Sequence, residues 1–255
     1  MAKEFEGKVV LVTGGASGIG KETARQFLIE GAYVLITDLN VEAGTRFCEE
    51  APHNENAAFF EHDVATEEGW QDAMSFVRSR FGKLDILVNS AGIAVSTPLE
   101  EMTLKEWQFQ NSVNLDGTFL GVKYAIKEMK PVGGAIVNIA SIAADVGIFA
   151  APAYCASKAG VKNFTKAAAL YCAHYKYNIR VNAIMPGYIE TPMVEGVLKQ
   201  QGTPGSFGEK LRNLHPIGHF GQPEDIAAGI LFAASDKAKF MTGSAIPIDG
   251  GYLAQ

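Results

Sequence analysis

Lys8-Val9-Val10-Leu11-Val12-Thr13 leads without a break into Gly14-Gly15-Ala16-Ser17-Gly18-Ile19-Gly20, and a helical pattern follows at once. The first part is β-branched and apolar at nearly every position, as a strand covered on both faces requires. The second part is a tight turn. Gly14 suits a sharp exit from the strand, Gly18 a close backbone approach to a pyrophosphate, and Gly20 close helix packing. From Gly18 to Glu30, Ile19, Thr23, Phe27 and Ile29 fall roughly on one side of a helix. The N-terminus of such a helix presents free N–H groups and a positive dipole end, which together favour phosphate. A glycine-rich turn alone is weak evidence; between a strand and a helix it reads as a nucleotide site.

The same alternation continues outward. Strand-like segments occur at Tyr33–Asp38, Ala57–His62, Leu84–Asn89, Ala135–Ala140, Ile179–Ile184 and Ser244–Ile248. Helical patterns occupy Trp70–Phe81, Leu104–Met129, about Tyr154–Tyr175 and Gln222–Ala234, with Pro223 in the first turn of the last. Seven strands alternating with helices predict a single α/β domain over residues 1–255: a Rossmann-type, doubly wound parallel sheet with helices on both faces. Glu190–His219 is the irregular exception. Its Gln200–Gly208 stretch is rich in turn residues, and a long interruption in a compact domain reads as a lid over a binding site.

Asp38 ends the second strand, about 20 residues past the loop, where a carboxylate can accept hydrogen bonds from the adenosine ribose. It would repel a 2′-phosphate. Leu39 and Asn40 bring no arginine, and Ser17 in the loop is neutral, so NAD is expected rather than NADP. A helix N-cap is the other reading of Asp38.

The totals exclude several classes. The chain of 255 residues is 47% hydrophobic and 20% charged, with net charge −6 and no basic cluster. Nucleic acid and anionic membrane surfaces are poor partners for it. Three separated cysteines, Cys48, Cys155 and Cys172, suggest neither a disulfide framework nor a thiolate metal site, and fit free thiols in a reducing cytosol. No metal is expected. The charged start has no secretory character, and no apolar run reaches the ~20 residues that span a bilayer.

Tyr154 and Lys158 stand four apart at the start of a helical pattern, hence on one face. A phenol has a pKa of about 10 and is a poor base near neutrality. A neighbouring ammonium and an oxidised nicotinamide would both favour the phenolate, which could then exchange a proton with an alcohol or ketone as hydride moves. By itself this spacing describes any surface pair. Ser141 closes the fifth strand at the carboxyl edge, where ligands of parallel sheets bind. Asn114 lies in an otherwise apolar helix, as a structural bridge or part of a polar relay. Asn89-Ser90-Ala91-Gly92 ends the fourth strand at the same edge.

Over its whole length the chain resembles the short-chain dehydrogenase/reductase family. The family's loop matches Thr13, Gly14, Gly18 and Gly20, and its catalytic tetrad falls on Asn114, Ser141, Tyr154 and Lys158. Its adenine-contacting pair is similar to Asp63-Val64. Its motif after the sixth strand resembles Pro186, Gly187 and Thr191, with Ile189 counted among the cofactor contacts. Asp249-Gly250-Gly251 is similar to the family's ending. The usual Asn-Asn-Ala-Gly reads Asn89-Ser90-Ala91-Gly92 here. The resemblance implies a cofactor site that also includes Ser17, Ile19, Asp38, Leu39, Asn89, Ala91 and Gly92. It implies that Lys158 bonds the nicotinamide ribose and that the Asn114 carbonyl holds a relay water. It further implies a homo-oligomer, tetramer or dimer; the cytoplasm is the location expected from the cysteines.

Ile93, Ala94, Val95, Ile142, Val146, Ile148, Phe149, Tyr188 and Met193 are the candidates for choosing a small-molecule substrate. None is a cation, which suits a neutral, hydrophobic secondary alcohol or ketone. The segments Val181–Pro186 and Thr191–Met193 are similar to bacterial hydroxysteroid and cyclic-alcohol dehydrogenases. The alternatives are a 3-oxoacyl-thioester reductase, which commonly uses NADPH and a basic loop residue, and a non-catalytic nucleotide sensor, which usually lacks the tetrad Tyr or Lys.

Overall fold

The computed structural model describes residues 3–200 and 204–255. Seven strands make one parallel sheet: β1 (Val9–Thr13), β2 (Tyr33–Asp38), β3 (Ala57–Glu61), β4 (Ile86–Asn89), β5 (Gly134–Ile139), β6 (Ile179–Pro186) and β7 (Ala245–Ile248). Their spatial order is β3-β2-β1-β4-β5-β6-β7. All pairs are parallel.

Strand periodicity sorts the core into two layers. Val10 and Val12 of β1 face α1 (Gly18–Ile29), α2 (Val41–Glu50) and α9 (Pro223–Ala234), through Phe27, Phe47 and Ile230. Val9 and Leu11 face the opposite way. They meet α3 (Glu67–Phe81), α5 (Gly117–Met129) and α6 (Pro152–His174), through Trp70, Met129 and Cys172. The chain winds outward through β2 and β3, then returns beside β1 as β4. The order therefore reverses between β1 and β4, and the crevice at their carboxyl ends is where such sheets bind ligands.

Four features depart from the sequence expectation. First, α2 lies in a stretch read as connection. Asn40 caps it by accepting from Ala43 N (3.0 Å), while Phe47 is its one large buried side chain. Second, the helix expected over Leu104–Met129 is interrupted. It comprises α4 (Leu104–Asn111), a π-helical segment (Ser112–Asp116) and α5. Third, the stretch read as irregular holds α7 (Pro192–Gln200) and α8 (Pro204–Asn213). Each begins at a proline, whose fixed φ and missing N–H suit a first helical turn. The expected lid also includes Gln201, Gly202 and Thr203, which lie outside the described residues. Fourth, α3 and α6 start earlier than expected, at Glu67 and Pro152. Among the described residues, no helix is long and apolar enough to cross a membrane, and no cluster of His, Cys, Asp and Glu could hold a metal.

Candidate active site

A cleft of about 490 Å³ opens at the carboxyl edge over β1 and β4. The loop between β1 and α1 forms its floor. Gly14 and Gly18 both have positive φ, +65° and +51°. A Cβ on Gly14 would lie 2.8 Å from the Ala91 Cα, so only glycine lets the β1 and β4 ends come together. A Cβ on Gly20 would meet the Gly14 carbonyl at 2.3 Å. Its constraint is thus the loop itself, rather than the sheet. Thr13 ties the two strand ends by accepting from Ser90 N and Ala91 N (both 3.1 Å). The first intrahelical bond of α1 runs from Lys21 N to the Ser17 carbonyl, and the Ser17 side chain makes no cap. The N–H groups of Gly18, Ile19 and Gly20 therefore stand at an open helix terminus, suited to a phosphate.

Asp38 is fixed at one end of the cleft. Its Oδ2 accepts from Ala16 N (3.2 Å) and its Oδ1 from Asn40 N (3.0 Å). The N-cap reading of Asp38 is corrected, since Asn40 caps α2. Asp38 instead braces the phosphate loop, a role the sequence did not suggest. Leu39, Asp63, Val64, Ser17, Ile19, Pro186, Gly187, Ile189 and Thr191, the expected cofactor contacts, all line the cleft. His62, Phe109, Ser112 and Val113 join them unforeseen. His62 is buried at the cleft wall next to Asp63, with Nδ1 3.2 Å from Thr37 Oγ1 and its ring edge-on to Trp70. Burial lowers its pKa to about 4, against the opposing pull of Asp63.

The structure does not bring the Asn89 side chain into the cleft. Asn89 Nδ2 donates to Asn138 Oδ1 (2.8 Å), and Asn138 Nδ2 to Thr165 Oγ1 (2.9 Å). This amide chain joins β4, β5 and α6 inside the fold. Ser90, Ala91 and Gly92 line the cleft instead.

Ser141, Tyr154 and Lys158 do converge. Ser141 lies just past β5, Tyr154 and Lys158 in the first turns of α6, and all three line the cleft. Lys158 is 5% exposed, and its Nζ donates to the Ile139 carbonyl (2.8 Å) while lying 5.6 Å from the Tyr154 ring centroid. Burial lowers its pKa to about 8. Burial raises that of Tyr154, and a hydrogen bond with Ser141 partly opposes this.

Asn114 lies one shell behind, fully buried in the π-helical segment. Its Oδ1 accepts from Ile93 N (2.8 Å), and its Nδ2 donates to the Ile93 carbonyl (2.9 Å) and to Ser157 Oγ (3.1 Å). It is therefore a bridge between the irregular segment that follows β4 and α6. Its own carbonyl accepts from Thr118 Oγ1 (2.8 Å). Gly92 lies against it: a Cβ there would be 3.3 Å from Asn114 Oδ1 and 3.6 Å from Lys158 Nζ.

A second cavity, about 280 Å³, adjoins the cleft. Ser141, Tyr154, Gly187, Met193 and Val194 border both. Of the substrate candidates, Ala94, Val95, Ile142, Ile148, Phe149, Tyr188 and Met193 line it. Ile93 borders the cleft instead, and Val146 borders neither. Val197 of α7, Leu211 of α8 and Tyr252 also contribute, and the described lining contains no Asp, Glu, Lys or Arg.

Comparison with known proteins gives this geometry a context. A family model described as Enoyl-(Acyl carrier protein) reductase matches residues 14–253. An NADP-dependent (R)-specific alcohol dehydrogenase of Lentilactobacillus kefiri is 40% identical, covering 100% of both chains. A 3-beta-hydroxysteroid dehydrogenase of Comamonas testosteroni is 39% identical over 99% of this chain and 98% of its own. The crystal structure of a levodione reductase superposes with a TM-score of 0.92 at 35% identity, covering 98% of this chain and 99% of that one. With the Rossmann-type sheet, the glycine loop and the convergence of Ser141, Tyr154 and Lys158, these likenesses place the chain in the short-chain dehydrogenase/reductase family, among oxidoreductases acting on alcohols and ketones.

Proposed function

We propose that the chain transfers hydride between NAD(H) and a neutral, hydrophobic secondary alcohol or ketone, with Tyr154 as the acid/base. The observation that carries this reading is the meeting of two cavities. Ser141 and Tyr154 sit where the nucleotide cleft opens into the uncharged cavity, so one hydroxyl pair faces both reactants.

The residues fit a dinucleotide. The open terminus of α1 suits its pyrophosphate, and the Asp38 carboxylate its adenosine ribose. A bound nicotinamide supplies or accepts the hydride. In ketone reduction, Ser141 orients the carbonyl oxygen and the Tyr154 hydroxyl donates a proton to it; in alcohol oxidation the phenolate takes that proton back. Burial raises the phenol and lowers the ammonium. The Lys158 ammonium, 5.6 Å from the Tyr154 ring centroid, and the positive charge of an oxidised nicotinamide would both favour the phenolate. Lys158 bonds the nicotinamide ribose. The Asn114 carbonyl would hold a water that relays protons between Lys158 and solvent. The segment 190–219, with α7 and α8, acts as a lid on one continuous domain. Exposed Phe119, Leu170 and Tyr171 on α5 and α6 support a homodimer or homotetramer.

The relative of Lentilactobacillus kefiri is named NADP-dependent, which favours a second reading of the cofactor. Against it stands the carboxylate of Asp38 at the ribose end, which would repel a 2′-phosphate. Cyclic alcohols, hydroxysteroids, open-chain ketones and an acyl thioester, assayed by absorbance with NADH or NADPH and their oxidised forms, test both points. We expect turnover of uncharged ketones with NADH. Preference for NADPH would refute the role given to Asp38, and preference for the thioester the substrate class. Asp38→Ala should narrow the NAD preference and also weaken NADH, because the loop bond to Ala16 N is lost.

A further inference from the structure

His215 follows α8 and plays no part in the reading above. Its side chain is 2% exposed. Its Nδ1 lies 3.0 Å from the Leu211 carbonyl, which can only accept, so Nδ1 carries the hydrogen. Its Nε2 lies 3.1 Å from the backbone N of Tyr188, which can only donate, so Nε2 is the acceptor. One neutral tautomer meets both demands. The ring packs edge-on against Tyr188, Phe220 and Tyr252, with centroids 5.7, 5.9 and 5.5 Å away. It also touches the adjoining turn: a Cβ on Gly187 would lie 2.9 Å from Nε2.

This position links two things. Leu211 belongs to the last turn of α8; its carbonyl accepts from Leu214 N (3.3 Å) and, as a second bond, from the His215 ring, which ties the imidazole to the helix end. Gly187 borders both the nucleotide cleft and the apolar cavity, and Tyr188 lines the cavity. Two further bonds hold the same turn, from Gly187 N to the Ile248 carbonyl (3.1 Å) and from Gly221 N to the Tyr188 carbonyl (3.0 Å). Among the described residues, the imidazole is what hydrogen-bonds to it from the 190–219 segment's α8 end. We propose that His215 is a positioning residue. It locks the Gly187–Tyr188 wall to the end of α8, so that seating α8 over the cavity and aligning the wall beside Ser141 and Tyr154 are one event. The inference rests on the reading of the apolar cavity as the substrate site.

Two polar substitutions separate this role from general packing. In His215→Gln, the amide oxygen reaches as far as Nε2 and can still accept from Tyr188 N. In His215→Asn, the shorter side chain keeps reach only to Leu211. We expect KM for a ketone to rise about tenfold in His215→Asn, with NADH binding, read by fluorescence, moving less than about twofold; His215→Gln should return KM to within about threefold of the parent enzyme. Equal KM values in the two variants, or KM and NADH affinity worsening together, would overturn the proposal. Hydrogen exchange at the Tyr188 amide needs no turnover: it should be at least about tenfold faster in His215→Asn than in His215→Gln, and equal rates would overturn the proposal too. If the parent enzyme turns over no ketone or alcohol, the substrate reading fails by itself and the exchange measurement still decides the role of His215.

Discussion

Tyr154 illustrates how little one side chain says alone. Four positions before a lysine, it fits any surface pair; partly buried beside Ser141 at the junction of two cavities, it is placed to exchange a proton with a carbonyl. Tyr154→Phe should leave NADH binding intact while turnover falls at least ~10²-fold, the usual scale for a positioned acid or base. Unchanged turnover would end that assignment. Asp38 shows the converse. Its place at the end of β2 was legible in the sequence, but its hold on Ala16 N was not, because no spacing rule reports which way a loop amide turns. His62 was not legible either, since a histidine before Asp63 carries no motif. Its pKa, lowered to about 4 by burial, predicts acid sensitivity. Below about pH 6.5 the unfolded chain binds a proton that the folded chain refuses. Stability should therefore be lost as pH falls from 6.5 to 4, by about 2 kcal/mol at pH 5. Urea midpoints at pH 7 and pH 5 check this: His62→Gln should flatten the decline, and an equal decline in the variant would refute it.

Elements were legible to the extent that apolar periodicity marks them. Every strand of the sheet was found, because strands buried on two faces are apolar throughout. The amphipathic helices α1, α3, α6 and α9 were found too. Polar α2 escaped because it buries little beyond Phe47. The helices α7 and α8 escaped because glycines and prolines at their boundaries read as loop. A less visible element-scale bond holds the end of α9. Arg180 on β6 donates to the carbonyls of Ala233, Ala234 and Ser235 (2.7, 2.9 and 3.0 Å). The carbonyls of Ala233 and Ala234 are acceptors of the kind a helix C-terminus leaves unpaired, and that of Ser235 also accepts from Ala238 N (3.2 Å). Arg180→Met should lower unfolding stability by about 1–3 kcal/mol, measured by denaturant titration; a change below ~0.5 kcal/mol would show that water replaces the guanidinium without loss.

For the whole molecule, the carboxyl edge of the sheet gathers what the sequence scatters from Gly14 to Thr191. Single residues were traceable to that edge because strand ends are traceable. The division of the edge into a nucleotide cleft and an uncharged cavity was not, since the cavity wall draws on α7, α8 and Tyr252, which no local pattern joins. Association of copies belongs to this scale as well. Light scattering behind a sizing column should give the mass of a dimer or tetramer of the 27.3 kDa chain; a monomer at micromolar concentration would refute the oligomer.

The π-helical segment at Ser112–Asp116 makes chain length itself a functional variable. An extra residue taken up within a helix shifts everything after it by about 100° around the axis. Removing any one residue of the segment other than Asn114 would restore an ordinary helix and swing Asn114 off the bridge to Ile93 and Ser157, with no chemical group of the tetrad deleted. Homologous sequences should therefore tolerate exchanges in Ser112–Asp116 more readily than gaps, and an alignment gap there would mark a chain that has lost the bridge while keeping every residue of the motif.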